Sequence, residues 1–110
     1  MEQATVQPDQ AALDTLVKRI VDAVHPLRII MFGSAARGEM TPDSDVDLLV
    51  VMPEGTHRLD TAGLLHMHFY GLPLSVDVLV ATPSDLERHK NNIGLIYRTI
   101  LREGKDLYVT

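Results

Sequence analysis

One stretch, Phe32 to Met52 (FGSAARGEMTPDSDVDLLVVM), constrains this chain more than any other. The apolar run Leu27 to Phe32 is closed by Gly33 and Ser34, and a second apolar run begins with Asp45 and Asp47 at its start. In a β-strand, residues i and i+2 project to the same face. If the strand over Val46 to Met52 reaches back to Asp45, both carboxylates stand side by side at one strand end. Two like charges that close are costly unless a cation lies between them. Magnesium suits the position, because it takes hard oxygen ligands and binds through one or two carboxylates plus substrate phosphates. A Gly-Ser turn beside the pair offers backbone N–H groups and a hydroxyl to those phosphates. The stretch therefore reads as a metal–nucleotide site, against the plainer reading of two strand-start aspartates facing water.

The 110 residues fit one domain spanning 1–110, with residues 1–8 as a loose arm. No cysteine is present, so disulfides and cysteine metal sites are excluded. Neither a secretory signal nor an apolar run of membrane-spanning length is visible, which leads to the expectation of a soluble cytoplasmic protein without membrane contact. The net charge of −5 argues against a general nucleic-acid binder, which carries a basic footprint. Residues 1–60 hold five Lys/Arg against ten Asp/Glu, and residues 61–110 hold five of each. All the excess negative charge thus lies in the half containing Asp45 and Asp47, as a site completed by cations requires, although an acidic solvated face has the same pattern.

Asp9 can cap a helix in which Leu13, Leu16, Val17, Ile20, Val21 and Val24 share a face, and His25-Pro26 ends it. Leu27 to Phe32 reads as a strand, Gly33 to Asp43 as a turn region with a helical turn from Ser34, and Asp45 to Met52 as a second strand. Thr56 to Tyr70 reads as a charge-poor helix stopped by Gly71. Its apolar residues cover more than one face, so it either meets a partner or packs beneath the sheet with imperfect patterning. Leu74 to Ala81 is a third strand containing Asp77. Thr82 or Ser84 caps the next helix, a last one runs from Ile93 to Glu103, and Leu107 to Val109 adds a short strand. The expectation is a small α/β (α+β) domain: a mixed sheet flanked by helices.

Gly33 and Ser34, ten intervening residues, then Asp45 and Asp47 together resemble the signature of the DNA polymerase β-like nucleotidyltransferase superfamily. Through Gly33-Ser34-Ala35-Ala36-Arg37-Gly38 and Ser44 to Val50 the chain looks most like its smallest members, the minimal nucleotidyltransferase (MNT) proteins. These include the antitoxins paired with HEPN-domain toxins. The resemblance implies transfer of AMP from ATP, with Asp45, Asp47 and Asp77 holding two Mg2+ ions and Asp77 helping to deprotonate an acceptor hydroxyl. Gly33 and Ser34 would hold the triphosphate, Arg37 would offset its charge, and Gly38 would return the loop. The family often has a basic residue where this chain carries Ala35. The implied acceptor is a tyrosine of a cognate HEPN ribonuclease toxin, in a hetero-oligomer with this chain. Two alternatives remain: transfer to a small molecule with a helical partner subunit, or a module that inhibits a partner by contact alone.

Other features carry less. Asp43, Asp45, Asp47 and Glu54 match four positions of an EF-hand loop, but the required central glycine is Leu48. His66 and His68 are two apart on a helix and diverge, which argues against zinc. Arg98 and Arg102 form either a solvated face or a contact for a partner or a phosphate. Asp77 belongs to the site only if its strand lies beside that of Asp47; on an outward edge it has no role.

Overall fold

Local signals fix the first helix, α1 (Gln10–Val24). The Asp9 carboxylate accepts from the Ala11 N–H at 3.1 Å, and Leu13, Leu16 and Ile20 turn inward. At its end His25 takes a left-handed conformation (φ 50°) and donates its N–H to the Val21 carbonyl, because Pro26 excludes the helical conformation before it. The computed structural model describes residues 5–92 and 96–110. Within the expected arm, the Val6 N–H donates to the Met40 carbonyl at 2.7 Å, while residues 1–4 lie outside the described residues.

After α1 come β1 (Arg28–Phe32), α2 (Gly33–Arg37), β2 (Val46–Val51), α3 (Arg58–Met67), β3 (Val76–Ala81), α4 (Pro83–His89), α5 (Ile96–Glu103) and β4 (Lys105–Val109). The four strands form one mixed sheet in the order β3-β2-β1-β4. β1 is antiparallel to both β2 and β4, whereas β2 and β3 are parallel because α3 crosses over between them. The domain is therefore a small α+β structure, with five helices among the described residues.

Alternation along the strands builds two apolar layers. Ile29, Met31, Leu48 and Val50 pack with Leu13, Leu16 and Ile20 of α1 and Leu65 of α3. On the other face Ile30, Leu49, Val51 and Ala81 pack with Ile100, and with the partly buried Leu86, Tyr97 and Leu101 of α4 and α5. Asp47 falls in the odd-numbered series of β2, so it shares the second face at the end opposite Val51.

Several boundaries differ from those expected. β2 begins at Val46, which leaves Asp45 immediately before the ladder. α3 is shorter than Thr56–Tyr70 because its first turn is built differently: the Thr56 hydroxyl donates to the Pro53 carbonyl, and the His57 ring accepts from the Asp60 N–H as the cap. The Arg19 guanidinium donates to the carbonyls of His68 and Tyr70 (3.0 and 2.9 Å), closing the far end onto α1. β4 starts two residues early, at Lys105, since pairing with β1 continues through a bulge. Residues 93–95 of the expected last helix lie outside the described residues.

A polar clasp joins the two helical layers. Thr82 and Asp85 form a reciprocal capping box on α4, and Arg58 at the start of α3 contacts the buried Asp85 carboxylate at 3.1 Å. Glu54 accepts from both the N–H and the hydroxyl of Ser84. The Thr82 backbone N–H holds Asp85 below its ordinary value of 3.8; burial opposes this, and the Thr82 hydroxyl and Arg58 reinforce it. A lowered folded pKa gives stability that is full above the unfolded value and lost as pH falls through the folded one. Asp85→Asn is expected to cost about 1–2 kcal/mol at neutral pH and to flatten the acid limb of stability, as read from urea midpoints across pH.

Candidate active site

The parallel register of β2 and β3 pairs Asp47 directly with Asp77. Odd residues of both strands face α5, so the two carboxylates project together into a cleft of about 340 Å³. The cleft is also lined by Phe32, Val78, Leu79 and Ile96. Asp77 lies on an edge strand, yet that edge adjoins Asp47, so the condition for its belonging to the site is met. Asp45 is exposed just outside β2 and does not line the cleft.

The electrostatics join all three acids. The Asp47 carboxyl is pushed up from its ordinary value by burial first, then by Asp77 and Asp45, and Arg37 draws it down. Arg37 ends α2, exposed, with its Nε 3.0 Å from Glu39. Burial and the two neighbouring acids together disfavour the ionised form of Asp47, and a cation bound beside it would offset them.

Gly33 lies against this cluster. Its φ is +71°, and a β-carbon there would overlap Asp47 Oδ2. Phe32 and Asp47 are register partners across β1 and β2, so the chain leaves β1 directly beside the carboxylate. Gly33 is thus required twice, for its backbone conformation and for the volume that Asp47 occupies. Gly38 (φ 74°) closes α2 by donating its N–H to the Ser34 carbonyl, the loop-returning role expected of it. Ser34 is half-buried in α2, and its hydroxyl makes no hydrogen bond among the described residues.

Among the described residues no three acids or histidines are gathered closely enough, as they stand, to hold a metal ion. The donor chemistry nevertheless fits a hard divalent cation, being all carboxylate, mutually repelling and partly desolvated around Asp47. Asp45 and Asp77 are exposed, with side-chain torsions free to draw inward. The apolar wall of Phe32, Val78, Leu79 and Ile96 escaped the sequence reading. Only the alternation around Asp77 pointed towards it, and Ile96 depends on where α5 packs.

Asp47 and Asp77 thus stand on adjacent strands behind the Gly33-Ser34 turn. Residues 13–107 match the nucleotidyltransferase domain family, and the chain belongs to it. It is 33% identical over 82 residues to a Methanocaldococcus jannaschii protein provisionally assigned as a protein adenylyltransferase, covering 74% of this chain and 77% of that one. The fold is similar to that of a crystallised Sulfolobus solfataricus protein provisionally assigned as a nucleotidyltransferase, with TM-score 0.59, 18% identity, and coverage of 92% and 89% of the two chains. It is also similar to a chain in a toxin–antitoxin crystal structure with AMP-PNP, with TM-score 0.62, 22% identity and coverage of 88% and 73%. No helix among the described residues is long and apolar enough to cross a membrane.

Proposed function

We propose that this protein moves AMP from ATP to a protein hydroxyl, a tyrosine of a HEPN-domain ribonuclease toxin, and so acts as the cytoplasmic antitoxin. The pairing of Asp47 with Asp77 over one cleft carries this reading. The provisional assignment of the M. jannaschii relative supports a protein acceptor, and the toxin–antitoxin neighbour with AMP-PNP supports the partner and the nucleotide. The outer side of α3 and the turn after it supports a protein complex: Leu59, Met67 and Tyr70 are 81%, 77% and 91% exposed.

In the reaction the acceptor oxygen attacks the α-phosphorus of ATP, the bond from that phosphorus to the pyrophosphate oxygen breaks, and pyrophosphate leaves. Asp77, the most accessible carboxylate of the cleft, accepts the hydroxyl proton. Asp45 and Asp47, with Asp77, are the residues that would hold Mg2+. When bound, the metal stabilises negative charge on the phosphate oxygens. Ser34 and the backbone N–H groups beside Gly33 orient the triphosphate, and Arg37 balances its charge after exchanging Glu39 for phosphate. Phe32, Leu79 and Ile96 exclude water from one side of the reacting centre. Catalysis is mainly positioning and charge neutralisation.

The test is the intact mass of the HEPN partner before and after incubation with this protein, ATP and magnesium. A gain of one or more AMP units, absent with Asp45→Ala, is expected. A tight complex that leaves the partner's mass unchanged would overturn the reading in favour of inhibition by contact.

A further inference from the structure

Among the described residues, no strand meets the backbone groups on the outer edge of β3. Val46 N–H donates to the Ser75 carbonyl and Met52 N–H to the Ala81 carbonyl, both at 2.8 Å. Peptide groups alternate in direction along a strand. Those of Ser75, Asp77, Leu79 and Ala81 therefore turn towards β2, and those of Val76, Val78 and Val80 turn away. The sheet order ends at β3, and among the described residues no strand pairs with that outer row. Val80 is buried, but Val76 and Val78 are half-exposed and flank Asp77.

Exposed edges are ordinarily blunted by proline, lysine or a bulge. Val76 to Ala81 contains no proline or basic residue, and its register with β2 is uninterrupted. Its one charge is Asp77, which stands on the cleft face. An unprotected edge beside a catalytic carboxylate is suited to receiving another chain.

We propose that this edge receives the acceptor polypeptide as an added extended strand that presents a tyrosine to the cleft. The inference rests on the reading of a protein hydroxyl as acceptor, and it specifies how that acceptor is held. A residue placed beside Asp77 on an added strand projects to the same face as Asp77 and Asp47. It stands two strand spacings from β2, about 9.6 Å. A serine or threonine hydroxyl at that position ends over the edge. A tyrosine carries its hydroxyl across β3 to the space between Asp77 and Asp47. On an added strand running antiparallel to β3, the residues on either side of the tyrosine meet the outward peptide groups of Val76 and Val78. Charge selects the flanks of that strand: Asp45, Asp47 and Asp77 leave this end acidic, and the chain carries a net charge of −5. Basic residues near the tyrosine are favoured and acidic ones are rejected.

Two synthetic peptides test this, both of sequence Lys-Val-Thr-Tyr-Thr-Val-Lys, one of them N-methylated at the two threonines that flank the tyrosine. Each is incubated with the protein, ATP and magnesium and followed by mass. The HEPN toxin serves as a positive control for AMP transfer. The unmodified peptide is expected to gain AMP at least ten times faster than its analogue, and to slow amide hydrogen exchange at Val76 and Val78. Equal rates, or an adduct without protection of those amides, overturn the strand-addition inference and leave AMP transfer standing. So does an adduct on the toxin with none on either peptide. Protection of Val76 and Val78 that depends on protein concentration alone assigns the edge to a second copy of this chain, and also overturns it. No adduct on the toxin or the peptides removes both readings.

Discussion

Asp45→Ala with Asp47→Ala is expected to lose nucleotidyl transfer by about a thousandfold or more while unfolding at an equal or higher temperature than the parent at neutral pH. The loss follows from removing two of the three carboxylates proposed above to hold a metal that would offset phosphate charge. The retained stability follows from the electrostatics of Asp47. Burial, then Asp77, then Asp45 raise its folded pKa above the ordinary 3.8, against the pull of Arg37. A raised folded pKa favours the fold below the unfolded value, and that contribution disappears as pH rises through the folded value. At neutral pH the ionised Asp47 thus burdens the folded state, and removing it relieves repulsion. The difference in Tm is expected to shrink as pH drops below the ordinary aspartate range. Transfer assays and thermal scans at several pH values check both halves. Full activity in the double variant sinks the site assignment, and a collapsed Tm sinks the electrostatic account.

What could be read in advance divides by whether the signal is local. Asp9 and His25-Pro26 bound α1 within a few residues of chain, and the structure places its ends there. Gly33, Ser34, Asp45 and Asp47 were legible because a short spacer joins two strands that pair with one another. Asp77 was legible only conditionally. Its alignment with Asp47 depends on a register set by α3 crossing between parallel strands, which no short stretch encodes. Ile96 on the cleft wall was beyond reach, since its position depends on α5 packing Ile100, Tyr97 and Leu101 against the second face. The ambiguity over α3 was likewise tertiary. Leu65 is fully buried while Leu59 and Met67 face outward, and Arg19 of α1, forty-nine residues before His68, closes the far end. The length of α3 was overestimated for a chemical reason: Thr56 and His57 use their side chains to build a turn and a cap, competing with further helix.

Gly33→Ala is expected to separate the conformational and the chemical demands at the turn. An alanine held at φ +71° costs about 1–2 kcal/mol through its β-carbon and the following carbonyl. Gly55→Ala carries that cost alone, since at φ 87° a β-carbon there meets nothing within 4 Å. The two variants should therefore share a loss of stability of this size. Only at Gly33 does the added carbon also displace the Asp47 carboxylate, or push the backbone beside it outward. A shift of the order of 1 Å in a carboxylate proposed to position the reacting centre reduces turnover by roughly a hundredfold. Transfer by Gly55→Ala should stay near the parental rate at temperatures where both variants are folded. That of Gly33→Ala should fall by about two orders of magnitude. Equal activity in the two would mean that Asp47 tolerates displacement, which conflicts with its place in the carboxylate cluster. A loss of stability at Gly33 much larger than at Gly55 would show the overlap relieved by backbone movement rather than by rotation of the Asp47 side chain.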